Sequence, residues 1–380
     1  MSEHISIQNF GPIKKIELEF KKVNILIGEQ GTGKSALAKL LYVISSQEFL
    51  TNHERRKDII DLYGLFFKRN TQIHYAARGF EVMFNKGKFD VKFSDKIEKD
   101  VETEMAKLKQ TLSKEDFSAF KSWNYFSNWL QKDIGSYHYV PAERIALFTA
   151  LRFMLNTSNR SVYKNNFDQY ILDFAGLYNI ASERMLNYNI PHLDNVAFKK
   201  TNGFDKVEFN GDLLFLYQTS SGFQVSIPLV IFFEYFNSSK GGVNKFIIEE
   251  PELNLFPTAQ YKLVQFFIEK INVSGNTFLM TTHSPYILTS LNNLLQAHIT
   301  GTKKMNATKV SKIIDKKSWV NPEEISAYML LPNGKCESIF DSNEKLIKAE
   351  MIDSVSTILN KEFDELLRIE FAIKKRKDNA

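Results

Sequence analysis

Strict alternation of apolar and polar positions opens the chain. Ile5-Ser6-Ile7-Gln8 and Ile16-Glu17-Leu18-Glu19-Phe20 each put apolar side chains on one face, and Asn9-Phe10-Gly11-Pro12 between them carries turn chemistry, so two strands around a turn are expected. An apolar run, Val23-Asn24-Ile25-Leu26-Ile27, predicts a further strand. A glycine-rich octet follows, Gly28-Glu29-Gln30-Gly31-Thr32-Gly33-Lys34-Ser35, and then Ala36 to Tyr42 with helical spacing. Past a polar stretch to about Asn70, Ile73-His74-Tyr75 reads as strand, and Phe80 to Phe84 with Phe89 to Phe93 as a hairpin around Asn85-Lys86-Gly87-Lys88. Residues 1–94 are thus expected to form one lobe, in which antiparallel edge strands join a parallel core.

The pattern changes over residues 95–200, which predict a mainly helical insertion. Ser113-Lys114-Glu115-Asp116 resembles a helix start, and Tyr170 to Leu186 keeps helical spacing. One stretch within it is extended, Tyr137-His138-Tyr139-Val140-Pro141-Ala142-Glu143-Arg144; its Glu143 and Arg144 could form a structural ion pair or face a phosphate. Residues 201–300 form a second lobe. Lys206 to Phe209 and Asp212 to Leu216 flank Asn210-Gly211, a strong signal for a tight hairpin. Thr219-Ser220-Ser221-Gly222-Phe223-Gln224 opens the apolar helix Val225 to Phe236. The strand Lys245-Phe246-Ile247-Ile248 runs into Glu249-Glu250-Pro251-Glu252, and after a helix from Pro257 to Ile271 the strand Asn276 to Met280 runs into Thr281-Thr282-His283-Ser284-Pro285. Residues 301–380 predict a hairpin, Ile325 to Leu331 around Pro332-Asn333-Gly334-Lys335, and an amphipathic helix from about Glu344. The fold class is α/β.

Composition narrows the class. With 380 residues, 43% hydrophobic and 24% charged, the chain reads as globular and has room for two or three packed units. No apolar run approaches the ~18 residues of a membrane span, and Met1-Ser2-Glu3-His4 lacks the features of a secretory leader, so no membrane association and a cytoplasmic location are expected. The single Cys336 has no thiol partner and reads as a small apolar residue in the last hairpin. The net charge of +5 is mild, and part of it lies in Lys374-Lys375-Arg376-Lys377, either a solvated end or a nucleic-acid or partner contact.

The octet has the form G-x-x-x-x-G-K-[ST] between strand and helix. Its glycines let several backbone N–H groups point into one concavity, Lys34 would reach the β- and γ-phosphates of ATP, Ser35 would ligate Mg²⁺, and the following helix adds its positive end. The nucleotide-binding run is Gly28, Glu29, Gln30, Gly31, Thr32, Gly33, Lys34, Ser35 and Ala36. Acids at the carboxyl end of a buried strand lie where α/β proteins bind ligands; Glu249 would hold the Mg²⁺ water shell and Glu250 would polarise the attacking water. His283, at the same strand end of the next βα unit, could sense the γ-phosphate. The serines and glycine before Val225 leave N–H donors for an anion, although an ordinary N-cap accounts for them equally.

This set resembles the ABC-type P-loop ATPase head shared by SMC, RecF and overcoming-lysogenization-defect (OLD) proteins. Phe10-Gly11-Pro12-Ile13, Tyr139 to Arg144, Ile248 to Leu253 and Thr281 to Pro285 are most similar to the OLD-like ATPases of bacterial anti-phage defence. The resemblance implies Walker A at Gly28 to Ser35, Walker B at Phe246 to Glu250, catalytic roles for Lys34, Glu250 and the switch residue His283, and a signature segment whose Ser221 and Gly222 act on ATP held by a second copy. It implies a head-to-tail dimer or higher homo-oligomer. Two departures stand out: Glu249 replaces the usual Asp, and Phe223 replaces a second glycine. The glutamine that usually couples Mg²⁺ to the insertion is sought at Gln72. The OLD nucleases' Toprim domain carries a D-x-D pair, which this chain lacks, so a nuclease or toxin effector is expected on a separate chain. The competing expectation is a RecF- or SMC-like clamp that binds DNA in repair or chromosome maintenance.

Overall fold

The computed structural model describes residues 3–100, 102–103, 134–147, 168–239, 242–303, 306–348 and 360–368. The expected helix start at Ser113-Lys114-Glu115-Asp116 and the basic run from Lys374 lie outside the described residues. The elements that open the chain are β1 (Glu3–Phe10), β2 (Ile13–Phe20), β3 (Val23–Gly28) and α1 (Lys34–Ile44). The polar stretch before Asn70 holds two short helices, α2 (Gln47–Thr51) and α3 (Arg56–Leu62), which bury Phe49, Leu50, Ile59 and Ile60. Next come β4 (Phe67–Ala77), β5 (Phe80–Asn85) and β6 (Lys88–Phe93).

The mixed α/β fold combines antiparallel and parallel sheets, as expected, and the alternating strands lie beside the parallel core. They form their own antiparallel sheet, in the order β2-β1-β4-β5-β6. Alternation suits a sheet with one dry face, whereas a strand covered on both sides must be apolar throughout. Ile5, Ile7, Ile16, Leu18, Ile73, Tyr75 and Val82 accordingly share a core with Leu37, Leu40 and Leu41 of α1.

The parallel core is a second, six-stranded sheet, in the order β15-β14-β3-β13-β12-β7. It joins β3 to β7 (Ser136–Val140), β12 (Asn244–Glu249), β13 (Thr277–Thr282), β14 (Ile325–Leu330) and β15 (Cys336–Ser338); only β15 runs antiparallel. Leu26, Ile247 and Leu279 point to the α1 side. Ile25, Phe246, Ile248, Phe278 and Met280 point to the other, under α5 (Ser221–Asn237), α6 (Pro257–Ser274) and α7 (Pro285–Gly301). α4 (Gln169–Arg184) also packs on that side through Phe174 and Tyr178.

These pairings cut across the units expected from composition. β7 belongs to the core sheet although it lies within residues 95–200. The boundary at 200 falls inside another sheet, ordered β11-β10-β9-β8, made of β8 (Asn187–Asn189), β9 (Val196–Thr201), β10 (Phe204–Phe209) and β11 (Asp212–Phe215). Residues 301–380 are not separate either, because β14 pairs with β3 from Ile325↔Val23 to Leu330↔Gly28. Where a helix was expected from Glu344, Leu346–Ile347 instead pairs with Phe340–Asp341; residues 360–368 are helical. Among the described residues, no helix is long and apolar enough to cross a membrane.

Candidate active site

β3, β12 and β13 end at the same edge of the core sheet, and the residues that follow each of them converge there. The turn after β3 winds through Gly31 and Gly33 at φ 76° and 105°, in the left-handed region that a glycine enters without penalty. Lys34 is buried in this turn, where its Nζ donates to the Gly28 carbonyl at 2.7 Å and the Glu29 carbonyl at 2.8 Å. Burial lowers its pKa, against the opposing pull of Glu250, Glu249 and Glu252. The loop is therefore closed on itself by the side chain that would reach a phosphate. Glu29, Gln30, Gly31 and Ser35 stay exposed, while Thr32 is fixed by a 2.8 Å hydrogen bond to the Glu29 carbonyl.

The two acids after β12 have different surroundings. Glu249 is 0% exposed, and neither carboxylate oxygen has a hydrogen-bond partner. Burial raises its pKa, opposed first by Lys39, while Glu143 adds to the rise; the Ser35 and Tyr139 hydroxyls face it and hold the rise down without closing a hydrogen bond. Glu250 turns out of the strand at φ 42° and sets its carboxylate 3.4 Å from His283 Nε2. The backbone after β13 is held by Glu252, whose Oε1 accepts from Thr282 Oγ1 at 2.6 Å and from the His283 N–H at 2.9 Å.

Arg144 supports this geometry from below. It is 0% exposed and spends its donors on backbone carbonyls: Glu249 at 2.7 Å, Glu250 at 2.6 Å, Pro141 at 3.2 Å and Val225 at 3.3 Å. A non-glycine residue in the left-handed region costs ~1–2 kcal/mol, and hydrogen bonds to a charged group contribute ~1.5–3 kcal/mol each, so Arg144 offsets the Glu250 backbone. Burial pushes the guanidinium down to about 10, against the surrounding glutamates, Glu252 foremost. Arg144 thus binds backbone carbonyls, and the expected ion pair with Glu143 is not formed. Glu143 instead lies 4.0 Å from Lys39.

Ser220 occupies the N-cap position of α5 without a side-chain cap bond, and Ser221 is exposed. Gly222 is buried where a Cβ would come 2.8 Å from the Asn254 carbonyl, so glycine lets α5 lie against the loop that follows the acids. Phe223 turns inward instead, edge-on to Phe209 of β10 at 5.6 Å. No hydrogen bond among the described residues joins Ser221 or Gly222 to residues 28–36. Gln72 is not brought to the cluster: it is exposed on β4, opposite Gln8 of β1.

A divalent cation fits this cluster. A fully buried carboxylate with two unpartnered oxygens needs a positive partner, and the Ser35 hydroxyl faces it. Among the described residues no group of three His, Cys, Asp or Glu side chains could hold a metal, so the protein's share is small, as with Mg²⁺ ions that keep water and phosphate ligands. Sequence reasoning did not find the parts played by Lys39, Tyr139 and Tyr170. Lys39 is half-buried on α1 with its Nζ 4.9 Å from the Tyr170 ring centroid, and no local signal in the sequence marks it.

A family model described as an AAA ATPase domain matches residues 1–168 and, in an overlapping second match, residues 68–288. No curated protein matches the chain. Solved structures similar to it include an SMC head bound to the C-winged helix domain of ScpA, 10% identical over 90% of this chain and 98% of that one, with a TM-score of 0.47. An SMC head domain from Thermotoga maritima is 10% identical over 76% of this chain and 91% of that one, at 0.39. The SMC head domain with an extended coiled coil from Pyrococcus furiosus, bound to the C-terminal domain of ScpA, is 12% identical over 90% and 97%, at 0.42.

Proposed function

The chain belongs to the AAA ATPase domain family, and from that premise we propose that it binds and hydrolyses ATP as an ABC-type head, closing head to tail on a second copy of itself. The observation that carries the reading is the pairing of a buried, unpartnered Glu249 beside Ser35 with an outward Glu250 set 3.4 Å from His283. Gly28 to Ala36 would cradle the phosphates, and Lys34 would exchange the Gly28 and Glu29 carbonyls for phosphate oxygens. Ser35 and Glu249 would hold Mg²⁺, which supplies positive charge to the phosphate oxygens when bound. Glu250 would take the proton of the water attacking in line, and His283 would report on the γ-phosphate through that carboxylate. Among the described residues Ser221 and Gly222 make no hydrogen bond to residues 28–36, and Ser221 is exposed, which leaves it free to act on ATP held by the second copy.

The role we propose is that of a sensor and regulatory switch for a separate effector, a nuclease or toxin, in bacterial anti-phage defence. Support comes from the likeness of Tyr139 to Arg144, Ile248 to Leu253 and Thr281 to Pro285 to OLD-like ATPases. The test measures ATP turnover and self-association of wild type, Glu250→Gln and Lys34→Ala. Glu250→Gln should trap an ATP-bound dimer, and Lys34→Ala should bind ATP weakly. Wild-type turnover by Glu250→Gln would sink the catalytic assignment. ATP-dependent DNA binding that falls steeply with salt would favour a repair or chromosome clamp over the switch.

A further inference from the structure

Four buried polar atoms near the start of α1 lack a hydrogen-bond partner: both carboxylate oxygens of Glu249, the Tyr139 hydroxyl and the Tyr170 hydroxyl. Tyr139 and Tyr170 are 2% and 3% exposed, and their ring centroids lie 5.1 Å apart. Burial, followed by the charge of Glu249, raises the pKa of both phenols, which puts both within electrostatic reach of that carboxylate. Tyr170 also lines a cleft of about 500 Å³ together with Ser35 and Lys39.

The neighbouring tyrosines behave differently. Tyr42 of α1 stacks on Tyr139 at 5.4 Å, yet its hydroxyl donates to Asp173 at 3.1 Å. Tyr63 donates to the same Asp173 oxygen, and Gln169 Nε2 donates to the other at 2.7 Å. Within one aromatic cluster, the hydroxyls on Asp173 are satisfied and those facing Glu249 are not. A buried hydroxyl and a buried carboxylate that face each other without bonding leave room for a third party that bonds to both. A hydrated divalent cation does so: its metal meets the carboxylate, and its waters donate to the phenol oxygens.

We propose that Tyr139 and Tyr170 are positioning residues for the divalent cation held by Ser35 and Glu249, their hydroxyls binding the water molecules of its hydration shell. Tyr170 lies in the first turn of α4, so the loading of the cation site is felt directly by the helix on which Gln169 and Asp173 also sit. The proposal rests on the nucleotide-site reading above.

The test uses Mn²⁺ as the probe. Mn²⁺ affinity of the ATP-loaded full chain is measured by electron paramagnetic resonance, and ATP affinity is measured separately in EDTA. Tyr139→Phe and Tyr170→Phe, which keep the rings, should each weaken Mn²⁺ binding about tenfold and leave metal-free ATP affinity unchanged. Tyr42→Phe should leave both unchanged. The proposal is overturned if both Phe variants bind Mn²⁺ within about twofold of wild type, or if Tyr42→Phe weakens it equally, which would make the effect one of aromatic packing. Should Tyr170→Phe fail to fold, Tyr139→Phe alone decides by the same criterion. A wild-type chain that binds no ATP either with Mn²⁺ or in EDTA would overturn the nucleotide-site reading, and this inference with it.

Discussion

Two helix starts, at α1 and α5, are both opened by glycine and serine, and the chain treats them in opposite ways. At α1, Lys34 is buried and bonded and Glu250 meets His283, with the unpartnered Glu249 close by. At α5, Ser221 is exposed and Gly222 serves packing against Asn254. The same local chemistry therefore yields two different settings, one where three strand ends converge, which we propose as the reactive half, and one where a single helix arrives, which we propose as the presenting half. Arg144 joins the two, since it donates to Glu249 and Glu250 on one side and to Val225 of α5 on the other.

The largest expected effect lies in the reactive half. Glu250→Gln should lower kcat for ATP about 10³-fold while ATP binding is retained, as seen in single-turnover and binding assays. Retained turnover would mean that the chemistry does not reside there. Next comes the link between the halves. Arg144→Met should cost roughly 3 kcal/mol in urea unfolding, because several buried carbonyls lose their donor. A near-neutral outcome would separate the halves energetically.

A smaller effect concerns neither half. Burial pushes His138 down to about 4, and burial together with Lys262 pushes His192 down to about 3. The unfolded chain takes up these protons below about 6.5 and the folded chain does not, so their contribution is fully present above that value. It is lost as pH falls toward 4, by about 1.4 kcal/mol per pH unit for each histidine. Urea titrations across that window measure the slope, and His138→Gln should flatten it. The smallest effect is Ser221→Ala, which should leave unfolding unchanged and weaken ATP-dependent self-association about tenfold by sedimentation. Unchanged association would remove the presenting half from the site.

Much of the cluster at these strand ends was legible because its parts are local. The phosphate loop needs only eight consecutive residues between a strand and a helix, and the acids and His283 follow directly on apolar runs that could only be core strands. The Asn210-Gly211 turn was legible for the same reason: both residues take positive φ, 51° and 91°. The boundaries at residues 200 and 301 misled because composition does not record which strands pair. Gln72 misled because its strand belongs to the wetted antiparallel sheet, and alternation says which face is dry without saying which sheet it covers.

What the sequence determined by itself, then, is every element whose stabilising contacts lie within a few residues: the strand-loop-helix at Gly28 to Ser35, the acid pair, the hairpins. Only the tertiary structure decided that β14 lies beside β3, that Arg144 reaches Glu249 and Glu250, and that Tyr139 and Tyr170 face an unpartnered Glu249. Those contacts join residues far apart in the chain, where no periodicity or spacing carries a signal. They arise from burial itself, which brings polar groups together wherever the packed sheets leave them no water.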